Sequence, residues 1–481
     1  MPFFGRRRIY TDETLLTAEN AGKILRAAIP VHAENRAEID ALYDIYRGKQ
    51  RILSREKAVR PEINNQIVVN HANEIVAFKT SYLLGEPLQY VSRGTEAGLA
   101  DRIDRLNDYM HAQDKARKDK DLAEWMNICG VAYRLVLPNK GAREPDSPFK
   151  VITLDPRDAF VVYNSSVEHH PVCGVVVVHR LEAPDLYCVY SEALYLEVEE
   201  GLLVPEAISK QEKLALPAVP LVEYDNNNAR MGAFEPVLSL LDEINNVESN
   251  RVDGIEQTIQ SLLVFENCDV DEEGYAELRA SGAMKIKSTP GATSKVYPVN
   301  NELPQDATQQ VVDDLYNRVL SICGMPSQQN SGDSSTSDTG AATIMRNGWY
   351  TAEARAKDSE DSFKSSEMQF LRVVLEICEV DRGLTLALGQ IDQKFTRRNY
   401  ADLLTKVQSL VTMLGSNKVH PKLAFQACGL FTDSEQAYLD SMGWYKEQQA
   451  AEEERAQEEM ETKPTPGDRA AQPGEEAPVK E

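Results

Sequence analysis

The run Asp269-Val270-Asp271-Glu272-Glu273-Gly274 has the residue types of an ion-binding loop. Carboxylates at positions one, three and five and a glycine at six are what a calcium loop requires, because the ion gathers oxygens around a sharp turn. The same loop needs a bidentate carboxylate at position twelve, and that residue is Ala280. No calcium site is expected. His169-His170 and Cys173 offer zinc-ligand types, but their spacing fits no zinc pattern, and the histidines read as surface residues on a loop. Gly48-Lys49 resembles the end of a phosphate loop, yet Tyr43 stands where the opening glycine must be. The sequence has no G-x-G-x-x-G, H-E-x-x-H, G-x-S-x-G or H-x-E…P-C-x-x-C pattern. Carboxylates are so numerous, at 76 Asp plus Glu, that no pair stands out as acid and base. The residues supply no catalytic group, no metal set and no cofactor motif, so the chain is expected not to be an enzyme.

The chain has 481 residues, which suggests about two to four domains, and its 42% hydrophobic content suffices for a folded core. Its formal charge of -24 opposes general electrostatic wrapping of nucleic acid, which needs Lys and Arg to displace counterions. Seven cysteines (Cys129, Cys173, Cys188, Cys268, Cys323, Cys378, Cys428) are scattered singly, as in a reducing compartment. The start of the chain lacks the apolar stretch of a signal peptide, so synthesis in the cytoplasm is expected. The longest apolar run, Val172 to Val178, is too short for a membrane span and reads as a buried strand.

The acidic run sits at the tip of a long hairpin, Glu235 to Ile322. Its first arm repeats apolar residues at helical spacing, including Leu241, Ile244, Val247, Ile255, Ile259, Leu262 and Leu263. Its other face carries Asp242, Glu243, Asn245, Asn246, Glu248, Asn250 and Asp253. The return arm from Asp306 places Val311, Val312, Leu315, Val319 and Ile322 on one side. Such a hairpin needs the rest of the chain or further copies to bury its stripe. At the tip, strands are expected over Met284 to Lys287 and Lys295 to Val299. The stretch after the return arm, Gln328 to Asp338, is polar and small, and reads as a mobile loop. Its length exceeds an ordinary helix-to-helix connection, which favours a functional loop.

Elsewhere, residues 1–17 read as a mobile arm whose Arg6-Arg7-Arg8 is solvated. A helix from Glu19 is expected to stop before Pro30, with a second from Ala33 to Gly48. Residues 50–64 read as a polar loop, Ile67 to Asn70 as extended, and His71 to Leu84 as a helix. Two charged helices follow, and Lys115, Arg117, Lys118 and Lys120 among aspartates read as a solvated face. After Gly130 comes a β-rich, antiparallel subdomain with seven short strands, the last at Gly201 to Val204. A long helix runs from Ala341 to about Val380, followed by a strand at Gln393 to Thr396. Helices are then expected over Tyr400 to Leu414, Pro421 to Cys428 and Asp433 to about Glu461, with a disordered acidic end.

Taken in order, a series of short motifs resembles the portal proteins of tailed bacteriophages, in the siphovirus-type branch. The matching pieces are Tyr43 to Gly48, Asn70 with Ile75 to Pro87, Gly130-Val131-Ala132-Tyr133-Arg134 and Leu154-Asp155-Pro156. Leu216-Pro217, Pro220, Glu223 to Asn227, Phe234 to Val237 and Leu241 to Asn245 continue it. Thr339-Gly340, the long helix and Phe395 to Asn399 complete it. The resemblance implies a mainly helical α+β fold of wing, stem, clip and crown. It divides the chain into an arm (1–17), a wing (18–234), a first stem helix (235–265), a clip (266–303) and a second stem helix (304–322). A tunnel loop (323–340), the long wing helix with its turn (341–392), a crown-like helical region (393–461) and an acidic tail (462–481) follow.

It further implies a ring, twelve-fold in virions, at one capsid vertex, through which double-stranded DNA is packaged and later ejected. Gln328, Gln329, Asn330, Ser331, Asp333, Ser334, Ser335, Thr336 and Ser337 would face the DNA. Asp269, Asp271, Glu272 and Glu273 would meet the terminase large subunit and later a head-completion adaptor. Leu241, Ile244, Val247, Ile255, Ile259, Leu315 and Val319 would pack the stem against neighbouring copies. Capsid and scaffold proteins are the other implied partners; no membrane, metal or cofactor is. The alternative is a phage head protein that forms a ring or binds scaffold without conducting DNA.

Overall fold

The computed structural model describes residues 5–94, 96, 98–199, 208–259, 262–266, 268–269, 287–288, 293, 295–299, 305–327, 348–397, 403–416, 418–431 and 434–461. The chain divides into two compact units, with the boundary at Arg397. The first opens with β1 (Ile9–Thr11) and α1 (Ala21–Tyr46), then an extended stretch containing a 3₁₀ turn (Arg51–Ser54). α2 (His71–Leu83), β2 (Gln89–Ser92), α3 (Leu99–Ala112) and α4 (Lys115–Cys129) follow. The β-rich part holds β3 (Val131–Pro138), β4 (Phe149–Leu154), β5 (Ala159–Asn164), β6 (Pro171–Val178), β7 (Leu186–Tyr190), β8 (Leu194–Glu199), β9 (Ile208–Lys213) and β10 (Leu221–Asp225). The hairpin is α5 (Leu238–Ile259), β11 (Leu262–Glu266), β12 (Cys268–Asp269), β13 (Lys287–Ser288), β14 (Lys295–Val299) and α6 (Gln305–Cys323). α7 (Trp349–Arg382) and β15 (Ile391–Lys394) close the unit.

One sheet has the order β1-β5-β6-β7-β8-β9, antiparallel except where β1 joins β5 in parallel. A second, β10-β3-β4, is antiparallel throughout. The two approach closely at Gly174, where an added Cβ would lie 2.3 Å from Leu221 Cβ, so the position accepts no side chain. β15 pairs with β2, returning the end of the first unit to its helical start. At the hairpin tip β11 pairs with β14 and β12 with β13.

Three apolar clusters carry the first unit. One gathers α3, α4, β3 and β4 around α7, with Phe363, Phe370 and Leu371 buried at its centre. The second joins α2, β3 and β5 to α5 and α6 through Ile75, Leu135, Leu241, Ile244 and Val319. The third packs the first half of α1 on the large sheet.

α1 is continuous through Pro30, contrary to the expected break. An internal proline costs about 3 kcal/mol. Ile24 and Leu25 before it and Ile39 and Leu42 after it are fully buried in two different clusters. At about 1.5–3 kcal/mol each, their burial outweighs that cost.

Four further expectations are corrected. The N-terminal arm is docked: β1 lies on the sheet, and Arg6 is 3% exposed rather than solvated. Lys115 and Asp119 are buried rather than on a solvated face. The first hairpin helix ends at Ile259. Leu262 and Leu263 belong instead to β11, where Val264 and Phe265 favour the extended chain and pair with Tyr297 and Val296. β9, absent from the expected strands, adds an edge of largely charged residues. The strand expected at Gly201 to Val204, and most of that at Met284 to Lys287, lie outside the described residues.

The second unit holds α8 (Leu403–Leu414), α9 (Pro421–Cys428) and α10 (Ser434–Glu461). Its small core is Leu410, Ala424, Phe425 and Cys428. The expected bounds of α9 hold, because Pro421 opens it, His420 Nδ1 accepts from Lys422 N at 3.2 Å, and Gly429 at φ +58° ends it.

Candidate functional site

The hairpin arms and the connection after α6 are where the sequence concentrates function, so the site is built outward from α5. Its apolar side is already used inside the chain. Leu241, Ile244 and Val319 are buried in the second cluster, and Val247 and Leu315 pack partly against it. The implied seam between copies therefore does not have these side chains free. Ile255 is exposed, as are Val311 and Ile322 on α6. The Ile259 side chain lies outside the described residues.

One row of the polar side of α5, Asn245, Ser249 and Asp253, is also covered. Residues 64–69 run extended and antiparallel along the helix as a strap. Asn245 Oδ1 accepts from Val69 N at 2.8 Å, Ser249 Oγ from Ile67 N at 2.9 Å and Asp253 Oδ1 from Asn65 N at 2.7 Å. The repeat works because four helical residues rise ~6.0 Å and two extended residues span ~6.6 Å. Asp253 also receives Lys57 Nζ at 2.8 Å and lies 3.2 Å from Arg55. Burial pushes its carboxyl up, but the bonds from Lys57 and Asn65 prevail and hold it below the usual range. Asn245 Nδ2 donates to Gln50, and Gln50 Nε2 donates to Asn70 Oδ1 at 3.2 Å, which ties the strap to the α2 cap.

α6 is held by a second set of contacts. Tyr316 donates to Glu74 Oε1 at 2.6 Å and stacks on His71 at 4.4 Å. Gly324, at φ +67°, turns the chain out of α6, with Met325 N donating to Leu320 O at 2.8 Å. The described chain pauses after Ser327 and resumes at Gly348. A Cβ on Gly348 would stand 3.6 Å from Pro326 Cα, so the two ends of the connection meet. Phe78, Tyr82 and Trp349 flank this point, with ring centroids 5.5–6.2 Å apart. The implied tunnel-loop residues Gln328 to Ser337 lie outside the described residues. So do Asp271, Glu272 and Glu273; the Asp269 backbone pairs with Lys287 in β12-β13.

Two buried ionic clusters fix the elements on either side. Glu367 of α7 is fully buried, 2.8 Å from Lys115 Nζ and 3.3 Å from Arg134 Nη1. Asp119 lies 2.7 Å from Lys115 Nζ and 2.5 Å from Arg134 Nη2. Tyr90 and Tyr224 donate to Glu367 at 2.5 and 2.6 Å. Two cations meet two carboxylates, so the cluster is neutral. Burial pushes Glu367 up, but Lys115 and Arg134 prevail and leave it below its usual range. In the other cluster Arg6 donates to both Glu235 oxygens, at 3.2 and 3.1 Å, and to Cys129 O at 3.2 Å. This joins the N-terminal segment to the end of α4 and the start of the hairpin.

The sequence reading missed both clusters. A signal existed: Arg134 interrupts the apolar strand Val131 to Leu137, and Glu367 shares the helix face of Phe363, Phe370 and Leu371. Among the described residues no group of three or more His, Cys, Asp or Glu is placed to hold a metal ion, and no helix is long and apolar enough to cross a membrane. Six of the cysteines are free and buried.

Against known proteins, no curated sequence matches this chain. Among solved structures it is similar to a chain in the neck of an empty gene transfer agent particle computed with C6 symmetry. That match has 12% identity and TM-score 0.45, and covers 76% of this chain and 91% of that one. It is also similar to a chain in the virion of a native gene transfer agent particle, at 13% identity and TM-score 0.37, covering 75% and 89%. The family model for SPP1 Gp6-like phage portal proteins matches residues 26–462. That span takes in α1, the strap, both hairpin arms, α7 and the second unit, and the chain belongs to the SPP1 Gp6-like phage portal protein family.

Proposed function

We propose that this chain assembles as a ring at one vertex of a phage capsid and lines the channel through which double-stranded DNA enters and leaves. The observation that carries the reading is the family match over residues 26–462. In the virion the ring is twelve-fold. The terminase large subunit docks on it during packaging, and head-completion proteins replace it afterwards, at the hairpin tip around Asp269, Asp271, Glu272 and Glu273. α5 and α6 form the stem, α1 to α4 with the β-rich part and α7 the wing, and the second unit the crown. No phosphate-loop motif is present in the sequence, which fits a channel driven by a separate ATPase.

Residues 323–340 are the tunnel loop. Its small polar residues Gln328 to Ser337 touch passing DNA of any sequence without gripping it, since a strongly basic wall would hold phosphates. The described residues on either side of that segment meet beside the α2 aromatics.

Deleting Gln328 to Ser337 tests this reading. Negative-stain images should still show rings, while the yield of DNA-filled heads should collapse in a complementation assay. Normal packaging by rings lacking the segment would refute the loop assignment. Intact heads that never needed this chain for filling would favour a non-conducting head protein.

A further inference from the structure

The hairpin has two outer sides, and they are unlike. Asn245, Ser249 and Asp253 of α5 hold the strap, whereas Arg251 Nε donates to Gln305 Oε1 of α6 at 2.9 Å and Arg251 Nη1 donates to Gln309. Residues two apart on a helix point about 200° apart, so the strap and α6 lie on opposite sides of α5.

The strap side is basic. The segment leading into it, residues 47–60, holds six Lys or Arg and one Glu in a chain of net charge -24. Arg51 lies 3.3 Å from Asp242, and Arg55 and Lys57 share Asp253, which fixes the segment on that side of α5. Asp44 meets Arg47 and Lys49, and Glu62 meets Arg60. Even with Glu56 counted, the basic groups stay in excess. Leu53 and Val59 of this segment are 46% and 76% exposed.

The α6 side is acidic. The helix carries Asp306, Asp313 and Asp314 against the single Arg318. Val311, Leu315, Arg318 and Ile322 recur at steps of four, three and four, so they form one stripe. Val311 and Ile322 are half-exposed. Val311 is two residues from Gln309, which faces Arg251, so the stripe turns away from α5.

Each side thus pairs exposed apolar residues with charge of one sign, and the signs are opposite. A two-fold contact would set each surface against its own copy, acid on acid or base on base, and like charges suppress such pairing. A head-to-tail contact brings the unlike surfaces together and uses both sides of every copy, which is how rings are built.

We infer that the seam between neighbouring copies runs from residues 47–60 of one copy to the outer stripe of α6 on the next. The occupant of each surface is a second copy of this chain. The inference rests on the ring reading above, and it moves the seam away from Leu241, Ile244 and Val319, which are buried within the chain.

Thiol cross-linking of the full chain tests it. The six described cysteines are buried, so wild type treated with a short bismaleimide serves as the blank. Leu53→Cys or Val59→Cys is combined with Val311→Cys or Ile322→Cys, each also made alone, and negative-stain images report rings. At least one double variant should give a ladder of dimers, trimers and larger species on a denaturing gel, while every single variant stays at monomer mass. Asp313→Lys with Asp314→Lys should lose most of the ring fraction at low salt with its unfolding midpoint unchanged. Dimers from a single variant would show a two-fold contact and overturn the seam. Rings that give no ladder in any double variant would overturn the seam and leave the ring reading standing. Wild type that forms no rings would overturn both.

Discussion

α7 meets basic side chains of its neighbours at two points about twelve residues apart, and the two settings differ. At Glu367 the helix supplies a carboxylate, so Lys115 and Arg134 are neutralised within the chain. At Arg355 it supplies another cation, and Lys79 is left facing it. The first arrangement is closed and structural: a buried pair is weak as a source of stability, but losing one member is severe. The second is open to solvent: Arg355 is exposed, and water rather than a carboxylate screens its charge.

The sharpest way to break the contrast is at Glu367. Glu367→Ala should cost about 3–5 kcal/mol, because two buried cations would share one carboxylate. Denaturant unfolding followed by tryptophan fluorescence checks it. Lys79→Met should leave that midpoint unchanged or slightly raised, since it removes a half-buried charge that has no carboxylate beside it among the described residues. Equal losses at the two positions would erase the distinction.

His32 sharpens the same point with a group that stays neutral. It is buried, its ring Nε2 lies 2.9 Å from Arg157 O, and burial holds its pKa at about 4. In the unfolded chain it titrates near 6.5. Below pH 6.5 the unfolded state binds the proton first, so stability falls as pH drops from about 6.5 to 4, by up to about 3 kcal/mol. His32→Asn should flatten that part of the stability profile; an unchanged slope between pH 7 and pH 4.5 would count against it. The smallest expected effect is in the strap. Ser249→Ala leaves the Ile67 N–H without its acceptor and should cost about 1 kcal/mol. Hydrogen exchange should rise at Ile67 while the Asn65 and Val69 amides remain protected.

Much of the fold was legible because it is local. Helix stops at Gly48 and Gly85, turn residues between β3 and β6 and the proline before α9 act over a few residues. The polar clusters were not legible, because their partners are remote. Lys115 and Asp119 look like an exposed i, i+4 pair until Arg134 and Glu367 are brought over them. The strap reads only as a polar loop over 50–64 and a short extended piece from Ile67, because its acceptors lie some 180 residues later, on α5. At the candidate site the flanks of the connection after α6 were readable from composition and helix spacing. The meeting of Phe78 and Tyr82 with Trp349 was not, since no local pattern links α2 to α7.

The strap on α5 also has a mechanical meaning. Its three hydrogen bonds lie side by side along the helix, and a pull along the α5 axis loads all of them at once, in shear. They must rupture together, whereas a pull across the axis would peel them singly. A helix anchored in this way yields least in the direction along its own length.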